Sequence, residues 1–569
     1  MLISGGRPNV GRVLLRRTAR ALFALVLCGQ SPAPPETASL AAVRERVRHV
    51  FVIYQENHSF DNFFGTYPGA ENLAGPLAQA HGFRQYDDIG KAWITPFRIT
   101  DPDIEGPSQN RLVVYDKMHG NAMDAYVSVQ ERLSLKKFAQ NPQAARVVGL
   151  TTMAYYDCDT IPFLWKYAHA FALFDHVFQA MVGPSTPNNV SVIAAQAGQT
   201  QRARDPQEDG DSQEKGPGVP AFNDLDPAYG PYTEYKQPRQ LPQKYATLML
   251  TLGGTSDTQA TQDTDGVAQD LGATIASGRA AIPWGWYQEG YASPTVALPG
   301  YETHHNGPQY FGYLRNNDVF WNDVHGVQTL LDALKANSLP DSGIFYVKGG
   351  SQNEFGWKPA NKDPYVQAHY RGDDDHPGPG DSDHQVGESF VATFVNAIAR
   401  SRYWNDSAII ISWDDPGGFY DHVPPPAFES CPDAHPCGDG PRIPLLVISP
   451  YARHGAIVSD PGDTASIVKF AEELFALPAL ASLPDEKPYL PQGPRDANPA
   501  ITDLLGAFDP SRLAGKTAPI PAADAEIPDT VVNSFPPKMS CASLGITPVA
   551  LPNAPSTPPP GFTPRVRSD

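Results

Sequence analysis

Val391-Ala-Thr-Phe-Val-Asn-Ala-Ile-Ala399 leads, through a short polar link, into Ala408-Ile-Ile-Ile-Ser412 and then Trp413-Asp414-Asp415-Pro416-Gly417-Gly418. The first stretch spaces Val391, Phe394, Val395 and Ile398 as one face of a helix. The second is a continuous β-branched run, the signature of a strand covered on both faces. Three further runs share that character: His49-Val-Phe-Val-Ile-Tyr-Gln55, Ile344-Phe-Tyr-Val347 and Ile443-Pro-Leu-Leu-Val-Ile-Ser449. Helical patterns fall between them at 160–171, 190–199, 327–336, 387–401 and 464–475. Buried strands alternating with helices predict an α/β fold: a central, largely parallel sheet with helices on both faces and long loop insertions.

The flanks differ in kind. Arg7, Arg12, Arg16, Arg17 and Arg20 precede the apolar run Ala21-Leu-Phe-Ala-Leu-Val-Leu-Cys28, which is too short to span a bilayer and has the proportions of a signal peptide. Residues 1–35 are therefore expected to be a signal and linker, directing the chain to the periplasm or outside the cell, with Arg16-Arg17 open to the twin-arginine route. Residues 36–480 form the expected catalytic domain, 201–245 a polar surface insertion within it, and 481–569 a Pro-rich segment whose end is expected to be disordered. No later run suits a transmembrane anchor. Beyond the signal stand Cys158, Cys431, Cys437 and Cys541, expected to form two disulfides in an exported protein, with Cys431 and Cys437 closing a small ring. The 569 residues carry 43 Lys and Arg against 62 Asp and Glu, a net charge of −19. That balance excludes nucleic-acid binding through an excess of cations.

Ligands in α/β sheets gather at the carboxyl ends of strands. Two strands here end in oxygen-rich clusters, Gln55-Glu56-Asn57-His58-Ser59-Phe60-Asp61-Asn62 and Trp413-Asp414-Asp415. Adjacent carboxylates at a buried strand end repel one another, and a hard cation removes that penalty. Turn and cap chemistry explains either cluster alone; the two together favour a metal site. Gly183-Pro184-Ser185-Thr186-Pro187-Asn188-Asn189 supplies a hydroxyl at a helix start, where backbone N–H groups attract phosphate. Pro187 at the first helical position makes Thr186 the expected N-cap and leaves Ser185 as the candidate nucleophile. His119, His304, His305 and His376 lie in polar loops and suit contacts to phosphate oxygens or proton transfer.

With these residues in place the chain resembles the bacterial phosphoesterase family of non-zinc phospholipases C and acid phosphatase A enzymes, related to the alkaline-phosphatase superfamily. The matching motifs are Val52-Ile-Tyr-Gln-Glu56-Asn57-His58-Ser-Phe-Asp61, Gly183-Pro-Ser185-x-Pro187-Asn188, Trp284-Gly-Trp-Tyr287, Trp413-Asp414-Asp415-Pro-Gly-Gly-Phe-Tyr-Asp-His422-Val-Pro-Pro425 and Ile443-Pro-Leu-Leu-Val-Ile-Ser-Pro-Tyr451. The resemblance implies an alkaline-phosphatase-like fold and one divalent metal ion, with Ca, Mg, Mn and Zn all open. It implies that Glu56, Asn57, Asp414, Asp415 and the Ser185 hydroxyl hold this ion. It further implies that His119, His304, His305 and either His376 or the nearby His384 surround the phosphate. One departure bears on substrate: phospholipase members commonly carry Thr as nucleophile and Arg after the Pro-Asn pair, where this chain has Ser185 and Asn189, which weakens the case for phosphatidylcholine cleavage and raises the phosphomonoester option. Asn189 also argues against sulfate esters.

The expectation is an exported, metal-assisted phosphoric-ester hydrolase acting through a phosphoserine. Its partner would be a small phosphate ester or a phospholipid head group, so acid phosphatase and phosphatidylcholine-type phospholipase C both stand. The rival from another class is a secreted, metal-stabilised binding protein without catalysis, which would need neither Ser185 nor the histidines.

Overall fold

The computed structural model describes residues 37–204, 223–232, 239–254, 262–315, 322–427, 439–552, 554–555 and 557–566. The basic and apolar N-terminus, Cys431, Cys437 and much of 201–245 lie outside these residues. His49–Gln55 (β1) lies within an eight-stranded sheet. Its other strands are Ala172–Phe174 (β2), Trp284–Gln288 (β3), Val324–His325 (β4), Gly343–Lys348 (β5), Ser407–Trp413 (β6), Leu445–Ile448 (β7) and Ala456–Val458 (β8), in the order β4-β3-β5-β1-β6-β7-β2-β8. β1 pairs in parallel with β5 and β6, Val52 standing between Tyr346 and Ile410. Within this sheet only β7 runs against its neighbours, β6 and β2. Every residue of β1, β5 and β6 is buried, which is why these strands read as unbroken apolar runs.

The principal helices are Pro162–Ala170 (α1), Ser185–Ala194 (α2), Val327–Ala336 (α3), His384–Ala399 (α4) and Ala465–Phe475 (α5). They cover both faces. Tyr54 and Tyr346 point to one face and donate to the Asn188 and Val192 carbonyls of α2, each at 3.4 Å. Gln55, one residue further along β1 and so on the opposite face, donates to the Gly387 carbonyl of α4 at 3.4 Å. α4 starts where the Asp383 carboxylate accepts from the N–H groups of Gln385 and Val386, at 2.9 and 3.3 Å. The pattern expected over 190–199 is displaced to Ser185–Ala194, because Ala195 adopts a left-handed φ of 53° and ends the helix.

Two segments depart from the sequence reading. The Pro-rich tail is ordered through residues 557–566. Pro564 O accepts from Glu105 N–H at 2.9 Å, Pro560 O from Arg146 at 2.8 Å, and Phe562 meets Phe97 edge-on with centroids 5.0 Å apart. Extended proline-rich chain leaves its carbonyls free, so arginine and amide donors on the body can hold it; composition alone misses those donors. The second is 201–245. Where described, it is partly core rather than surface: Leu225 and Asp226 are buried, and Tyr310 donates to the Leu225 carbonyl at 2.5 Å. A disulfide joins Cys158 to Cys541, tying the later segment to the body. Among the described residues no helix is long and apolar enough to cross a membrane.

Candidate active site

The adjacent strands β5, β1 and β6 deliver Lys348, then Glu56 and Asn57, then Asp414 and Asp415 to one end of the sheet. The first turn of α2 brings Ser185 against them. The Ser185 hydroxyl donates to Glu56 Oε2 at 2.6 Å, and Lys348 Nζ engages the other oxygen, Oε1. His305 Nε2 lies 3.4 Å from Glu56 Oε2. The Asn57 N–H donates to Asp414 Oδ1 at 3.1 Å. In the amide orientation that satisfies its neighbours, the Asn57 side chain donates to Asp415 Oδ2 at 2.8 Å and accepts from His376 Nε2 at 2.6 Å. Asn57 holds a positive φ of 65°, a conformation Asn tolerates better than most residues, and this turns the chain sharply out of β1.

Burial sets the electrostatics. It pushes the Glu56 carboxyl well above its ordinary range, Asp414 adds to the shift, and Lys348 opposes it. Asp415 is raised well above its range by burial and then by Asp414. Burial pushes the His305 imidazole well below its ordinary value, reinforced by His304 and Lys348. For His376 burial works against the charged ring, yet Asp381, 3.1 Å away, together with Asp374 and Glu56, holds it well above the usual value. Among the described residues the buried carboxylates of Glu56, Asp374, Asp414 and Asp415 are opposed by Lys348, His376 and, at Asp415, the buried Lys117. The carboxylates outnumber these cations, and the buried Asp414 Oδ2 has no hydrogen-bond partner. An all-oxygen donor set with an orphaned carboxylate oxygen fits a hard cation.

Three tighter groupings of possible ligands exist among the described residues: His58 with Asp375 and His384, Asp61 with Asp421 and His422, and Asp157 with Asp159 and Cys541. The last contains a disulfide sulfur. In the second, Arg442 bridges Asp61 and Asp421 at 3.0 and 2.8 Å, so its charge is already compensated. In the first, His384 Nδ1 lies 3.0 Å from Asp375 Oδ1, and burial pushes both His58 and His384 down to about 3.

The structure thus gathers Ser185, Glu56, Asn57, Asp414, Asp415, His305 and His376, with His304 stacked edge-on against His305 at 4.3 Å. His119 is not brought in. It ends the helix Arg111–Met118 in a left-handed conformation, its side chain is 71% exposed, and its partner is Asp124 at 2.7 Å. Between the two nearby histidines, His376 meets Asn57 and His384 meets Asp375 instead. Thr186 is not the N-cap: Ser185 and Thr186 are the first two helical residues, after Pro184. The Thr186 N–H is satisfied by Asp224 Oδ1 at 3.0 Å, while its hydroxyl stands 3.4 Å from Tyr310 Oη. Asn189 is buried and donates to the Ser185 carbonyl at 3.0 Å. Sequence reasoning missed Lys348, Asp374 and Asp224. Lys348 carried a usable signal, a charge closing a buried strand beside two strands that end in carboxylates.

The Phosphoesterase family model matches residues 47–478 of this chain. The non-hemolytic phospholipase C of Burkholderia pseudomallei is 25% identical over 517 residues, covering 86% of this chain and 62% of that protein. Phospholipase C A of Mycobacterium tuberculosis is 24% identical over 542 residues, covering 90% and 85%. The chain spans about three fifths of the length of the Burkholderia relative and of two Pseudomonas aeruginosa phospholipases C. Among solved structures, a phosphonate monoester hydrolase from Silicibacter pomeroyi aligns over 56% of this chain and 69% of its own, at 12% identity and a TM-score of 0.22, too low to carry a structural argument.

Proposed function

The chain belongs to the Phosphoesterase family, and on that premise we propose that it is a metal-assisted hydrolase of phosphoric esters acting through a phosphoserine at Ser185. The observation that carries this is the 2.6 Å hydrogen bond from the Ser185 hydroxyl to the buried Glu56 carboxylate. Ser185 Oγ attacks phosphorus while its proton passes to Glu56 Oε2, and the bond from phosphorus to the ester oxygen breaks. His376, kept cationic by Asp381 and Asp374, gives its proton to the departing oxygen. Water then attacks the phosphoserine and returns a proton to His376, and Glu56 returns its own to Ser185. Lys348 keeps Glu56 fixed through the cycle. Glu56, Asp414, Asp415 and Ser185 would hold the divalent ion, joined by Asn57 once its amide turns its oxygen toward Asp414 and Asp415, and the ion's positive charge would favour the ionised hydroxyl and the charge developing on phosphoryl oxygen.

Export is part of the same reading. It is supported by the basic and apolar N-terminal run and by the Cys158–Cys541 disulfide, which suits an oxidising compartment. Fractionation of cells producing the full chain would place a processed form outside the cytoplasm; a full-length cytoplasmic product would refute it.

Ser185→Ala should lower turnover of an aryl phosphate ester by about 10³-fold or more at unchanged thermal stability, whereas Thr186→Ala should keep most of it. Acid quenching during turnover of a radiolabelled ester should trap label on the peptide containing Ser185. Turnover by Ser185→Ala above a tenth of the parent rate would remove the nucleophile from this scheme.

A further inference from the structure

The first turn of α2 has few free donors. Of its first three residues Pro187 has no N–H, so only Ser185 and Thr186 can offer one to an anion. One of the two is taken by a carboxylate of the chain itself: Asp224 Oδ1 accepts from Thr186 N–H at 3.0 Å, one residue from the nucleophile. Asp224 is not held there loosely. The next residue, Leu225, is buried and accepts from Tyr310 Oη at 2.5 Å, Asp226 is buried, and Tyr310 Oη in turn stands 3.4 Å from the Thr186 hydroxyl. The carboxylate is close enough to the metal-binding end of the sheet to raise Asp415. A phosphoryl group set for attack by Ser185 Oγ brings its oxygens to this same helix start. There it meets the like charge of Asp224, while Lys348 and His376 are already engaged by Glu56, Asp374 and Asp381.

We propose, resting on the phosphoric-ester reading above, that Asp224 is a specificity-determining residue. Its carboxylate at the start of α2 disfavours doubly charged phosphomonoesters and leaves singly charged phosphodiesters as the better substrates. Specificity here is a difference in cost: an added negative charge next to Asp224 is repelled, while an esterified oxygen carries no charge to repel. Asp224 contributes no bond to the reaction, so its removal changes the ratio between substrate classes rather than supplying or abolishing chemistry.

The test compares kcat/KM of the full-length parent, Asp224→Asn and Asp224→Ala on p-nitrophenyl phosphate and on methyl p-nitrophenyl phosphate, which share a leaving group and differ by one charge. Asp224→Asn retains an oxygen that can accept from Thr186 N–H and loses only the charge. The monoester-to-diester ratio should rise about tenfold in both variants. Inorganic phosphate, measured by calorimetry, should bind Asp224→Asn more tightly than the parent. A ratio unchanged in Asp224→Asn, with phosphate binding also unchanged, would overturn the proposal. Equal losses on both substrates in Asp224→Ala would assign the residue a purely structural role and overturn it as well. Failure of the parent reading is distinguishable, since Ser185→Ala would then still turn over both esters.

Discussion

Lys348 and Ser185 engage opposite oxygens of a single carboxylate, that of Glu56. The carboxylate that accepts from the Ser185 hydroxyl is therefore also half of a buried ion pair, with Lys348, Glu56 and Ser185 all removed from solvent. Removing one partner of such a pair strands the other charge, at a cost of about 3 kcal/mol. Lys348→Met should show that loss in equilibrium urea denaturation, together with reduced turnover. Adding Glu56→Gln should restore much of the stability and none of the activity. Additive stability losses in the double variant would mean that the two side chains are not energetically paired.

The carboxylates beyond Glu56 bear on metal. Asp414→Asn should reduce bound divalent metal, measured by elemental analysis of the purified chain, and a chelator should lower the melting temperature of the parent more than that of the variant. Equal metal content in the two proteins would remove Asp414 from the ligand set.

The buried group around Arg442 gives a pH signature away from the site. Burial lowers His422, but Asp61 at 2.7 Å and Glu71 at 3.3 Å prevail and raise it to about 9, with Arg442 opposing. The folded value lies above the ordinary 6.5, so this contribution is complete below about pH 6.5 and is lost as pH rises through about 9. At about 1.36 kcal/mol per unit the effect is on the order of 3 kcal/mol. The stability difference between the parent and His422→Gln should shrink from pH 6 to pH 9.5; a difference constant across that range would contradict the ion pairing.

The Cys158–Cys541 bond links positions 383 apart in sequence. Closing so long a loop restricts the unfolded chain, and Cys541→Ser should destabilise by about 2–4 kcal/mol in urea denaturation. Dithiothreitol should lower the melting temperature of the parent more than that of Cys541→Ser. An equal response in both would show that the bond does not form in solution.

The sheet was legible because β1, β5 and β6 are continuous apolar runs, and their oxygen-rich ends followed from the same pattern. The lysine escapes a sequence reading because the apolar run of β5 ends at Val347, one residue short of the charge that closes the strand. Thr186 was misassigned because a proline near a helix start suggests the first position. Here Pro187 stands third, where its missing N–H is equally harmless, and the helix begins two residues earlier. His119 reads like the other loop histidines in sequence; its exclusion depends on the left-handed residue ending its helix, which turns it toward Asp124. Asp224 lies in a stretch whose composition suggests surface, and only the fold reveals that its carboxylate accepts from Thr186 N–H at the start of α2 while Leu225 is held by Tyr310.

The ordered tail carries a consequence for timing. Arg565 and Pro564 hold Asp103 and Glu105, Gly106 lies against the Pro377 carbonyl, and Gln109 reaches His376 at 3.4 Å. The loop behind His376 is thus braced by residues that leave the ribosome long after it does. A chain whose synthesis has reached only the last strand of the sheet has this loop without its brace.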